Sequence, residues 1–334
     1  MGARVVFLAR DLPWGASKLR ESGCEALLMP AEADASAARS ELRHALEAVS
    51  PDVCVMDVLE TGDAETRVVR ETARARGRRT ALVCLDDVGA GRLNANAVVN
   101  VLEVEPSPHL LVERGIALYE GPAYVALTED YATPGIANRE VPPKVRRVVV
   151  TLGGADPAGL APKATRALRR AFEGPAAQAA FGPERSEGSR ATVLIGAASD
   201  QSEEVALAVR GDEASFALTE SVPSLLPVLR EADLGIVAGG LTMHEALAVG
   251  LPCIALCQPV RHQAELAQRF ADAGAMVNLG PGAAVTEAQI ADAIVSLAAD
   301  PDLRRRFAER GPQLVDGKGA ERTAEVICQL ASGV

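Results

Sequence analysis

The chain is short of aromatic residues. One Trp, three Tyr and six Phe make up 3% of its 334 residues. With so few rings, the core must be built from Ala, Val and Leu. Basic excess is lacking too: 34 Lys and Arg stand against 45 Asp and Glu, a formal net charge of −11. Phosphate backbones demand basic patches, so this balance disfavours a nucleic-acid partner. A small anion remains open, because a helix terminus can outvote the global charge locally. No apolar run approaches the roughly 20 residues of a membrane span. No signal-peptide core with a cleavage site opens the chain. The six cysteines are scattered and mostly sit in apolar runs, which reads as buried free thiols in a reducing cytoplasm. Cys253 and Cys257, four apart on one strand face, are expected to hold neither a disulfide nor a metal. No Gly-x-x-x-x-Gly-Lys-Ser/Thr, His-Glu-x-x-His or Gly-x-Ser-x-Gly occurs, which leaves the P-loop, metalloprotease and α/β-hydrolase classes without support. No cofactor and no metal are expected.

What is present is alternation. Apolar runs at 5–8, 26–28, 53–56 and 81–85 read as strands, and helical segments lie at 16–22, 35–49 and 64–76. Continuous apolar strands alternating with helices mean a parallel sheet covered on both faces. The pattern pauses at the breakers Thr133-Pro134-Gly135 and Val141-Pro142-Pro143-Lys144, where a linker is expected. It resumes with strands at 147–152, 192–195, 215–218, 234–237, 253–256 and 275–277, then a helical tail over 286–330. Asp300-Pro301-Asp302 interrupts that tail. It superficially matches an Asp-x-Asp metal motif, but it follows no strand and reads as a helix N-terminus. The Gly/Pro/Ser/Glu-rich stretch 174–190 reads as a surface loop. The fold expected is α/β: two doubly wound Rossmann-like domains, 1–142 and 145–334, facing across a cleft.

Ligands of doubly wound sheets bind at the carboxyl ends of strands, at topological switch points. Two turns there are glycine-rich. Ala238-Gly239-Gly240-Leu241-Thr242-Met243-His244-Glu245 leads from a strand into a helix. A glycine pair lets backbone N–H groups approach an anion, and the helix N-terminus behind it is partially positive. Glu245, one turn in, could accept two hydrogen bonds from a ribose diol. Thr242-x-x-Glu245 is equally a capping box, in which both side chains merely satisfy backbone donors. Leu152-Gly153-Gly154-Ala155-Asp156-Pro157 opens the second domain, with Asp156 and Pro157 expected at N-cap and N1. It is a ligand turn or an ordinary βα turn. His244, and His262 in the loop that continues Gln258-Pro259-Val260-Arg261, could donate to a phosphate or a sugar hydroxyl; a lone His is more often a surface or capped residue. Asp57, Asp86 and Asp87 end first-domain strands, where they face a ligand or merely cap turns.

These residues carry a resemblance. The chain resembles the GT-B nucleotide-sugar enzymes, nearest to the UDP-sugar hydrolase of pseudaminic acid biosynthesis and related spore-coat polysaccharide glycosyltransferase-like proteins. Phe7 to Gly15 looks like that family's second strand and loop. Val55-Met56-Asp57 and Leu85-Asp86-Asp87 look like its next strand ends, and Tyr119-Glu120-Gly121-Pro122-Ala123-Tyr124 like its Gly-Pro-x-Tyr segment. The loop at Gly153 and Gly154 is similar to its Gly-Gly-x-Asp-Pro loop. The segment 239–263 is similar both to that hydrolase and to the GlcNAc transferase that makes lipid II. By this resemblance Gly239, Gly240 and Leu241 hold a diphosphate, Glu245 the ribose, and Gln263 the sugar or phosphate.

The family's opening Gly-x-Gly-His-x-x-Arg, whose histidine is thought to activate water, does not occur. A sheet lacking its first strand would expose an edge or change its strand order. With that histidine missing, Asp57 and Asp87 are the local candidates for a general base. The resemblance implies a UDP-sugar enzyme acting at the anomeric carbon of a UDP-amino sugar, by hydrolysis or glycosyl transfer, in surface-glycan biosynthesis. Its partners are the UDP-sugar and a sugar or lipid-linked acceptor, and its place is the cytoplasm. A non-catalytic nucleotide-sugar-binding protein derived from the hydrolase is the alternative.

Overall fold

The computed structural model describes residues 3–101, 108–182, 190–260 and 262–333. It divides into two compact units, residues 1–124 with 321–334, and residues 125–320.

The first unit runs β1 (Val6–Arg10), α1 (Pro13–Glu21), β2 (Glu25–Met29), α2 (Ala35–Val49), β3 (Val53–Asp57), α3 (Asp63–Ala75), β4 (Ala81–Leu85), β5 (Ala97–Asn100), α4 (Pro108–Glu113) and β6 (Ala117–Glu120). All its strand pairs are parallel, in two sheets: β1-β2, and β3-β4-β5-β6. Helix α2 packs on β1, β2 and α3. The strands β5 and β6 fall between the apolar run at 81–85 and the breakers, where no strand is read from the sequence; at four residues each, they are too short to show a period. β4 and β5 are buried, whereas β1 and β3 are not, although both are apolar along most of their length. Phe7 is 41% and Val55 39% exposed. Among the described residues, β1 pairs only with β2 and β3 only with β4.

The second unit runs β7 (Val148–Thr151), α5 (Leu160–Glu173), α6 (Ala177–Ala180), β8 (Ala191–Ile195), α7 (Ser202–Ala208), β9 (Phe216–Glu220), α8 (Leu226–Glu231), β10 (Leu234–Ala238), α9 (Leu241–Ala248), β11 (Cys253–Cys257), α10 (Gln263–Asp272), β12 (Val277–Pro281), α11 (Glu287–Ala299) and α12 (Pro301–Leu314). Its six strands are parallel in the order β12-β11-β10-β7-β8-β9. That order is a doubly wound sheet whose direction of winding reverses between β7 and β10. β7, β10 and β11 are buried along their whole length, as strands covered on both faces must be. Val, Leu, Ile and Ala from these strands, with Leu168 of α5 and Ile290 and Ile294 of α11, form one core cluster.

The boundary differs from the one the breakers suggest. Residues 125–142 belong to the second unit because its groups hold them. Tyr131 bonds Glu245, and the Arg139 guanidinium donates to the carbonyls of Leu229, Ala232 and Val249. Buried Arg304 donates to the carbonyls of Pro142 and Pro143 at 2.8 and 2.9 Å. The last helix, α13 (Gly319–Ala331), belongs mostly to the first unit, where Val326, Ile327 and Leu330 pack on Val83, Ala97 and Val99.

The stretch 174–190 is not all loop: α6 and buried Phe181 anchor its first part, with Phe181 edge-on to Phe172. Residues 183–189 of it lie outside the described residues. The strand expected at 275–277 is β12, which starts two residues later. Asp300 caps α12 through Leu303 N–H at 2.8 Å, with Pro301 at N1, as its Asp-Pro-Asp sequence suggests.

Candidate functional site

Three loops at the carboxyl ends of β7, β10 and β11 are tied together within the second unit. Gly153, after β7, has φ +90°, a conformation that favours glycine. A Cβ on it would lie 3.8 Å from the Ala238 side chain of β10, so the two glycine turns are neighbours. Gly154 has open space where a side chain would be. Asp156 is buried, with φ +42°. It is not the N-cap: α5 starts three residues later than expected, at Leu160, behind Gly159. The Asp156 carboxylate nevertheless accepts from Leu160 and Ala161 N–H at 2.9 and 2.8 Å, capping from four residues back.

Gln258, just past β11, is the tie. Its side-chain amide donates to Asp156 Oδ1 at 2.6 Å and to the Leu152 carbonyl at 3.1 Å, and its oxygen accepts from Ala158 N–H. Its own N–H donates to Gln263 Oε1 at 3.0 Å. Held this way, Gln263 aims Nε2 at Gly240, where a Cβ would come within 3.2 Å of it. Gly239 is tighter still, since a Cβ there would be 2.7 Å from Cys257 Sγ. Packing alone therefore asks for glycine at 239. His262 stands at the N-cap position of α10 without a side-chain capping bond. Arg261 lies outside the described residues.

Gly240 is the N-cap of α9, and no side chain caps this helix. The capping-box reading of Thr242 and Glu245 is thereby overturned. Thr242 is buried, and Glu245 bonds elsewhere: it accepts from the Tyr131 hydroxyl at 2.9 Å. The first turn of α9 contains no acidic residue. N–H groups at the start of a helix have no partner inside it and carry the positive end of its dipole. Leu241, whose N–H is one of them, is 57% exposed. The turn can accept an anion.

Burial pushes the Glu245 carboxyl above its ordinary range, while the Tyr131 hydrogen bond works against that rise. Burial, and then the Glu245 charge, push the Tyr131 phenol up, so it stays a donor. His244 is buried edge-on to Phe270, and neither ring nitrogen has a hydrogen-bond partner. Burial lowers it to about 4, the Gly240 backbone pulling weakly the other way, so near neutral pH it is an uncharged packing residue. An open depression of about 670 Å³, lined by Arg139, Glu309 and Gln313 among others, lies at the opposite end of α9 and holds none of these groups.

In the first unit, Asp57 ends β3 exposed. Asp87 is fully buried, accepting from the N–H groups of Thr61 and Gly89 at 3.0 and 2.7 Å and from the Thr61 hydroxyl. Asp86, at φ +48°, accepts from Val101 N–H at 2.7 Å. These bonds make Asp86 and Asp87 builders of the β4–β5 connection.

Sequence reasoning missed Tyr131 and the tying role of Gln258. Tyr131 is one of only three tyrosines, which is the single signal it offered.

The chain is similar over 243 residues, at 28% identity, to the spore coat polysaccharide biosynthesis protein SpsG of Bacillus subtilis, the match taking in 71% of this chain and 65% of that protein. A 114-residue stretch is 36% identical to the UDP-N-acetylglucosamine–N-acetylmuramyl-(pentapeptide) pyrophosphoryl-undecaprenol N-acetylglucosamine transferase of Sorangium cellulosum, spanning 33% of this chain and 28% of that one. The chain thus covers less than two thirds of the length of these curated relatives. Among solved structures, Acinetobacter baumannii MurG superimposes with TM-score 0.63 at 13% identity, over 98% of this chain and 91% of that one. The fold is GT-B, with two Rossmann-like domains. No family model matches.

Proposed function

We propose that the second unit binds the diphosphate and ribose of a UDP-sugar, and that the protein acts at the anomeric carbon of a UDP-amino sugar in surface-glycan assembly. The observation that carries this reading is the start of α9. Its N–H groups lie at the winding reversal of a doubly wound sheet, uncapped by any side chain, beside a second glycine turn. The names of the transferase and of the spore-coat protein, to which the chain is similar, support the nucleotide and the glycan setting.

In this reading Gly240 and Leu241 face the diphosphate, with Gly153 and Gly154 leaving room for it and Gln263 reaching the sugar or phosphate. Glu245 takes the ribose diol. As the glycosidic bond breaks, charge grows on the departing diphosphate, and fixed N–H dipoles stabilise it without reorganising. Asp57 and Asp87 are the candidates for the group that deprotonates the acceptor; Asp57 is exposed, whereas Asp87 is buried and already accepts three hydrogen bonds from Thr61 and Gly89.

Gly240→Asp sets a carboxylate against the phosphate and should abolish UDP binding by calorimetry; unchanged affinity would reject the site. A product assay then separates the chemistries. UDP release with water alone means hydrolysis, and release that needs an acceptor means transfer. Tight binding without turnover supports the alternative, a nucleotide-sugar-binding protein.

A further inference from the structure

We propose that Tyr131 is a positioning residue for nucleotide recognition, its hydroxyl holding the Glu245 carboxylate in the orientation that selects a ribose over a deoxyribose. This inference rests on the nucleotide reading above and adds to it the residue that sets sugar specificity.

Tyr131 lies 114 residues before Glu245, in the 3-10 turn Glu129–Ala132. It is 2% exposed, so its hydroxyl has been brought inside and given a partner there. Its backbone is pinned. The Tyr131 N–H donates to the Thr128 carbonyl at 3.1 Å, and its own carbonyl presses on Gly317, where no Cβ would fit and φ is +76°.

A carboxylate offers about four lone-pair directions on two oxygens. One direction on Oε1 is taken by Tyr131, which restrains rotation of the group, and no hydrogen bond occupies Oε2 among the described residues. A diol needs two acceptor directions at fixed spacing, so a carboxylate free to rotate grips it poorly. The phenol also opposes the rise in pKa that burial causes.

The test measures UDP and 2′-deoxy-UDP binding by calorimetry to wild type and Tyr131→Phe, with the thermal midpoint of each protein as a check on folding. Wild type should prefer UDP by about tenfold or more, the scale of a hydrogen bond to a charged group. Tyr131→Phe should lose about tenfold in UDP affinity, keep its affinity for 2′-deoxy-UDP, and so lose most of the preference. Equal weakening of both ligands would overturn the proposal, because a merely structural tyrosine acts that way. An undiminished preference would overturn it as well. If wild type binds both nucleotides equally, Glu245 is not on the ribose and this inference falls while the diphosphate site stands. If wild type binds neither, the underlying nucleotide reading falls first.

Discussion

His244 shows how a single residue couples position to pH. The unfolded chain takes up a proton near the ordinary value of 6.5, whereas the folded chain resists until about 4. Between those values the unfolded state binds more protons. Stability therefore falls as pH drops through that window, by about 3 kcal/mol at its acid end. His244→Leu should flatten this dependence. Urea unfolding at pH 7.5 and 4.5 checks it, with a smaller difference between the two pH values expected for the variant. Glu245, whose carboxyl is raised, tilts stability the other way in both proteins and cancels in the comparison. At this scale the sequence is readable where chemistry is local. Gly239, Gly240 and Glu245 lie within seven residues of one another, and their types read together as a candidate anion site. Tyr131 and Gln258 act on partners 114 and about 100 residues away, and no periodicity carries that information.

At the scale of elements, α9 is bounded by glycine at both ends for different reasons. Gly240 leaves its start open. Gly250 closes its end in the left-handed region, at φ +64°, and lets α12 approach so closely that a Cβ would lie 2.6 Å from the Ala308 carbonyl. Gly250→Ala meets both obstacles and should cost more than about 2 kcal/mol in urea unfolding, since strain and clash add. The sheet of the second unit was legible because its central strands are near-continuous apolar runs, as in Val148 to Val150, Leu234 to Ala238 and Cys253 to Cys257. β5 and β6 were not, because four residues cannot display a period. The unit boundary was misread because breakers mark where the chain turns. Where it packs is decided by Arg139 and Arg304, whose guanidinium groups bind carbonyls that have no signature in sequence.

At the scale of the whole molecule, the two units differ in how their parallel strands are joined. In the second, β7 sits between β8 and β10 and continues one sheet; in the first, β1-β2 and β3-β6 are separate sheets. Among the described residues, β1 and β3 therefore each present an edge with a row of peptide donors and acceptors, flanked by the exposed Val5, Phe7, Val55 and Val58. Such rows recruit extended polypeptide without regard to its sequence. Concentrating the protein should lead to association through these rows, seen as growth in light scattering, and Phe7→Lys with Val55→Lys should suppress it. The chain's formal net charge of −11 keeps copies apart, and added salt, which screens that repulsion, should hasten their joining.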